Sequence, residues 1–174
     1  MLVDDDLYFR RMRMMSIPVI VSALFISSCS SQQPATPATS TVFGSKTDSV
    51  FFSLQRTPCF GTCQAYTVTI LADGHAHYTG RSNAPREGDH TGHVDKATMQ
   101  ALYDRASSIG FFDFQDKYDG PVTDLPSLII RINAAGKDKK VVGRVKTPPA
   151  FKPFAAYADS LLAPVQWTKV APEK

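Results

Sequence analysis

Apolar and polar side chains alternate from the start of the folded region: Val50, Phe52 and Leu54 fall on one side, Ser49, Ser53 and Gln55 on the other. A period of two predicts a strand with one buried face. Segments 65–71 and 75–80 flank Ala72-Asp73-Gly74 and predict a hairpin. A two-residue Asp73-Gly74 turn would pair Ile70 with His77 and mix apolar with polar on each face. A three-residue loop with Gly74 left-handed pairs Ile70 with Ala76, Val68 with Tyr78 and Tyr66 with Gly80, so the apolar groups collect on one side. The second register is therefore expected, with Thr67, Thr69, His75 and His77 on the opposite face.

Farther along, the period lengthens. Asp95 can cap a helix reaching about Ile109, with Met99, Leu102, Ala106 and Ile109 on one side and Gly110 as its stop. Phe111, Phe112 and Phe114 follow, expected to insert where the chain turns back to the sheet. Leu128, Ile130 and Ile132 predict another strand, which Ala134-Ala135-Gly136 turns into a partner at Val141 to Val145. A last helix is expected from about Lys152 to Ala163, presenting Phe154, Ala158, Leu161 and Leu162, with Pro153 near its start and Pro164 at its end. Strands, helix, strands, helix without β-α-β alternation predicts an α+β domain: an antiparallel sheet of about five strands with two helices packed on one face.

Ahead of this domain, Arg10, Arg11 and Arg13 precede an apolar run from Ile17 to Ile26. The run is too short to span a bilayer of roughly 30 Å and suits the core of a secretory signal. It ends in Ile26-Ser27-Ser28-Cys29, which resembles the lipobox of bacterial lipoproteins. That resemblance implies a signal peptide over residues 1–28 and a Cys29 that is lipidated and becomes the first residue, a membrane anchor of more than one acyl chain. Asp4, Asp5 and Asp6 sit badly in a segment that should be positive, so residues 1–11 read as an upstream start. Residues 29–47 include Ser30-Ser31-Gln32-Gln33-Pro34, with no core-forming side chain in the stretch to Thr41, and predict a disordered tether. Fully extended, it would reach roughly 60 Å from a bilayer. Residues 48–165 then form one domain and 166–174 a tail. Ser30 lacks the Asp that favours inner-membrane retention in enteric bacteria, so the expected place is the outer membrane, facing the periplasm.

Charge narrows the partners. The chain carries 19 Lys+Arg and 16 Asp+Glu; removing residues 1–28 takes three of each, leaving 16 against 13 and the same formal +3. A mild, unclustered excess is no footprint for nucleic acid.

Cys59 and Cys63 stand in Thr57-Pro58-Cys59-Phe60-Gly61-Thr62-Cys63, between the first two strands. In extended chain they would lie about 13 Å apart, whereas a disulfide needs α-carbons within roughly 7 Å. Pro58 and Gly61 supply a reversal that can close the gap, and an exported protein meets an oxidising compartment. A structural disulfide is the first expectation. Read with Arg56 before it and Tyr66 after it, the run resembles the R-T-x-C-F-G-x-C-x-x-Y signature of an uncharacterised family of bacterial envelope lipoproteins, the domain of unknown function 6438. Tyr118-Asp119-Gly120-Pro121-Val122-Thr123-Asp124-Leu125-Pro126 resembles the family's second recurrent segment. Gln64 departs from the proline many members carry there. The resemblance covers about residues 48–165 and implies an envelope location and two loop segments, but no chemistry.

Other readings of the same residues compete. Thiol exchange needs an accessible, low-pKa cysteine, usually at a helix N-terminus, and this pair lies between strands without Cys-x-x-Cys spacing. A copper-type metal site would use Cys59 and Cys63 with histidines. His77 pairs with Thr69, about 20 Å from Cys63 along the strand, too far for a shared ion. His90 and His93, in the loop expected after the hairpin, remain as ligands for that alternative. No Gly-rich phosphate loop, Ser-His-Asp order or zinc spacing appears, so neither a cofactor nor catalysis is expected. Asp113, Asp116, Asp119 and Asp124 read as turn formers, and Lys137, Lys139 and Lys140 as a solvated charge run at a hairpin tip. The expected function is a non-catalytic binding domain for an envelope protein, a polymer or a small ligand. Its candidate residues are Arg56, Tyr66, Tyr118, Asp119 and Asp124. If their strands are neighbours, Arg56 is expected beside Asp119 or Asp124, as a binding group or as a pin between loops.

Overall fold

The computed structural model describes residues 42–43, 49–122 and 124–171. The lipobox, Cys29 and most of the tether lie outside them. In chain order the elements are β1 (Val50–Arg56), β2 (Tyr66–Leu71), β3 (His75–Gly80), β4 (Gly88–His93), α1 (Lys96–Ser108), a 3₁₀ turn at Phe111–Asp113, β5 (Lys117–Tyr118), β6 (Leu128–Ala134), β7 (Lys137–Gly143), α2 (Phe151–Leu162) and β8 (Thr168–Lys169). One eight-stranded sheet runs β5-β7-β6-β1-β2-β3-β4-β8. Every described pairing is antiparallel except β5 on β7.

The α+β class stands, and the strand number is corrected from five to eight. β4 was expected as loop because Gly-Asp-His-Thr-Gly-His offers no apolar face. What makes it a strand is the open edge of β3, whose backbone groups pair residue for residue from His75 with His93 to Gly80 with Gly88. β5 and β8 are two residues each, below the length at which a pattern can be read. β8 lies in the expected tail, and Trp167 just before it packs on Tyr78. Val42 and Phe43, expected in the tether, also reach the domain: Val42 accepts from the Ala135 amide at 2.7 Å and Phe43 meets Phe51 edge to face.

The alternation in β1, β2 and β6 puts Phe52, Leu54, Tyr66, Val68, Ile70, Leu128, Ile130 and Ile132 in one core cluster. Phe51 is buried as well, where a bulge shifts the register between Val50 and Phe52. The hairpin adopts the apolar-collecting register, Ile70 opposite Ala76 and Val68 opposite Tyr78, with Gly74 at φ 94°. An added Cβ at Gly74 would lie 2.5 Å from the Val94 carbonyl, so the position needs glycine for space as well as for φ. Asp95 caps α1 through the Thr98 amide, and Gly110, left-handed, ends it. Met99, Leu102 and Ala106 of α1 join the same cluster as Phe151, Phe154, Ala155, Ala158 and Leu162 of α2, and Phe111 packs against Phe154.

The β6–β7 turn corrects another expectation. Ala135 and Gly136 both have positive φ, the two-residue turn that matches strand twist, so Ala134 pairs directly with Lys137. β7 therefore runs from Lys137 to Gly143 rather than Val141 to Val145, and the lysine run begins at the hairpin tip with Lys137 and continues along the strand. It ends where Gly143 meets α2: a Cβ there would lie 2.4 Å from the Phe151 ring.

Candidate binding site at the loop end of the sheet

Strand parity explains why charge collects at one end of this core. Arg56 closes β1 on the same side as Phe52 and Leu54, and its cross-strand partner is Tyr66, the first residue of β2. Both face α2, and Asp159 meets them there. Arg56 Nη2 donates to Asp159 Oδ2 at 2.6 Å, Arg56 Nε donates to Tyr66 Oη at 2.8 Å, and the Tyr66 hydroxyl donates to Asp159 Oδ1 at 2.6 Å. The triangle is partly open to water, with side-chain exposures of 30% for Arg56 and 35% for Asp159. Burial and the hydrogen bond to the Asp159 carboxylate push the Tyr66 phenol well above its ordinary range. For Arg56 burial works against the charge, but the bond to Asp159 and its attraction outweigh it, so the guanidinium is held more firmly charged.

The expected partner of Arg56 is thereby corrected. Asp119 binds Lys117 at 3.0 Å and lies 3.4 Å from Arg144 instead. The Lys117 bond and the Gly120 amide hold its carboxyl below the usual range. Tyr118 lies in β5, where its hydroxyl accepts from the Gln115 amide at 2.9 Å. Asp124 is exposed beside a recess of about 220 Å³ lined by Pro58, Cys59, Phe60 and Leu125. Asp159 was missed because it stands 103 positions from Arg56. A usable signal existed: Arg56 at a core-facing parity of β1, and an acid flanking the buried stripe of α2 beside Ala155, Ala158 and Leu162.

The two family segments do meet. β1 and β6 are neighbours, and Thr57 N donates to Ser127 O at 3.0 Å while Ser127 N donates to Thr57 Oγ1 at 2.7 Å. Cys59 and Cys63 are joined in a disulfide with α-carbons 5.8 Å apart, the reversal expected of Pro58 and Gly61. Asn83 steadies the loop, its Nδ2 donating to the Gly61 and Cys63 carbonyls at 3.4 Å. The loop raises Phe60 into solvent, 93% exposed.

Between these loops and the start of α2 lies a groove of about 530 Å³. Arg56, Arg144 and Lys152 line it with Leu125, Pro126 and Leu128. A second cavity, about 320 Å³, opens beyond Gln64 and contains Asp159, Tyr78, Arg86 and Trp167.

His90 and His93 are corrected from loop to β4, where they pair with Tyr78 and His75. That pairing carries them away from the cysteine loop, which lies beyond the Gly80 end of β3. The structure does not bring them together with Cys59 and Cys63, whose sulfurs are bonded to each other. Among the described residues no group of three or more His, Cys, Asp or Glu side chains could hold a metal ion.

No curated protein and no solved structure matches the chain. A family model does, over residues 50–162, from the first residue of β1 to the last of α2. The chain therefore belongs to the family described as Domain of unknown function (DUF6438).

Proposed function

We propose that this chain is a lipid-anchored protein of the bacterial envelope, held at Cys29, whose domain binds a protein partner through the loop end of its sheet and carries out no catalysis. The observation that carries the binding reading is Phe60. Among the described residues the exposed large apolar side chains are Phe60 at 93%, Leu125 at 48%, Val122 and Val170, and the first three belong to the two loops that meet here. A fully solvated aromatic on a disulfide-closed loop is pre-organised: little entropy remains to be lost when it enters a partner's recess. Asp124 lies beside it, and Arg144 and Lys152 line the groove that shares Leu125, so the complementary surface is an apolar recess with a rim of both charges.

Two experiments test the reading. Replacing Cys29 with Ser should move the protein from the membrane to the soluble fraction; retention with the signal uncut would make the apolar run a plain anchor. A photo-crosslinking amino acid at Phe60 in cells should give a discrete adduct of one size, while the same group at His77, on the polar sheet face, should not. Equal, diffuse labelling at both positions would refute the docking surface.

A further inference from the structure

We infer that the groove beside Arg56 is a receptor for an organic anion, a carboxylate or phosphate monoester bearing a short apolar portion. This deepens the binding reading: it shares Arg144, Lys152 and Leu125 with the docking surface and adds Arg56, but makes no use of Phe60. The lining residues include three cations, Arg56, Arg144 and Lys152, and no carboxylate. Both guanidinium groups are held by the protein through part of their donor set. Arg56 uses Nε on Tyr66 and Nη2 on Asp159. Arg144 uses Nε on Ser127 Oγ at 3.2 Å and Nη1 on the Val122 carbonyl at 3.2 Å, with Asp119 Oδ1 3.4 Å from the same Nη1. Arg56 Nη1 and Arg144 Nη2 have no hydrogen bond among the described residues, so each fixed fork keeps donors for a ligand. Lys152 has no ion-pair partner among the described residues.

Leu125, Pro126 and Leu128 give the wall an apolar stretch, beside the polar Gln64 and Ser127. A bare inorganic ion would leave that surface wet, whereas an acid with an alkyl portion covers it. The groove volume suits a small molecule or a single side chain rather than a polymer segment.

The test is an NMR titration of the full chain in lipid nanodiscs with acetate, butanoate, inorganic phosphate and butyl phosphate, none of which needs a lipid phase to dissolve. The Gln64, Ser127 and Arg144 amides should shift saturably, and butanoate should bind about fivefold more tightly than acetate, as two partly buried methylenes require. Lys152→Glu should weaken butanoate at least about tenfold, with Lys152→Gln in between. Tighter binding of butyl phosphate than of butanoate assigns a phosphoryl head group, and the reverse order assigns a carboxylate. Absence of saturable shifts with any of the four, equal affinity for acetate and butanoate, or an indifferent Lys152→Glu variant would each overturn the proposal. A discrete Phe60 adduct alongside any of those results would leave partner docking standing; anion binding without the adduct would do the opposite.

Discussion

The Arg56–Tyr66–Asp159 triangle ties the end of the β1–β2 hairpin to α2, and its strength can be measured against a control within the same molecule. Arg131 and Asp138 are also an arginine–carboxylate pair, joined by two direct bonds, Nε to Oδ1 at 2.9 Å and Nη2 to Oδ2 at 2.7 Å, where Arg56 reaches Asp159 through Nη2 alone; they lie across the open face of the β6–β7 hairpin, with exposures of 41% and 49%. They lie seven positions apart, against 103 for Arg56 and Asp159. Exposed pairs couple by about 0.2–1 kcal/mol. Breaking a buried pair costs about 3–5 kcal/mol, because a charge is left without solvent or partner. Arg56–Asp159 is about one-third exposed and adds the Tyr66 hydroxyl to the carboxylate, so a coupling of about 1.5–2 kcal/mol is expected after allowing for screening. The assay is a double-mutant cycle by urea unfolding, with Arg56→Ala, Asp159→Ala and both, run beside Arg131→Ala and Asp138→Ala. The Arg131 cycle should return about 0.5 kcal/mol. Asp159→Ala alone should cost about 2 kcal/mol, roughly 6–10 °C in melting temperature for a domain of this size. Equal coupling in the two cycles would refute the reasoning, since burial would then have done nothing for the pair.

Tyr78→Phe should change stability by less than about 1 kcal/mol, because the buried Tyr78 hydroxyl meets the Arg86 backbone without a well-formed hydrogen bond; a larger loss would reveal a bonded hydroxyl. Above about pH 10 the unfolded chain releases tyrosine protons that the folded chain keeps, since burial raises the Tyr66 and Tyr78 phenols. Stability is therefore complete below that pH and falls as pH rises beyond it, and Tyr66→Phe should flatten the slope in an alkaline unfolding series. Replacing Cys59 and Cys63 together with Ala should cost about 2 kcal/mol, the chain-entropy value for so short a loop, and should broaden the NMR signal of Phe60.

Local patterns decided the elements whose two faces differ. A one-residue slip of the β2–β3 hairpin would carry Val68 and Ile70 into water, so alternation alone sets that register. The Asp95 cap and the Gly110 stop act within a few residues of their own helix and are equally legible. So was the meeting of Cys59 with Cys63, which needs only Pro58 and Gly61 to turn the chain. What the tertiary structure alone decided lies at the edges and across long separations. β4 is polar on both faces and β5 and β8 are two residues long; each exists because a neighbouring strand presents unpaired backbone groups, a demand made by the neighbour's position rather than by the strand's own side chains. Asp159 reaches Arg56 only because α2 packs across the sheet. Parity could show that Arg56 faces the core and must be satisfied, but the identity of its partner required knowing which surface closes over it, and that depends on the packing of the whole domain.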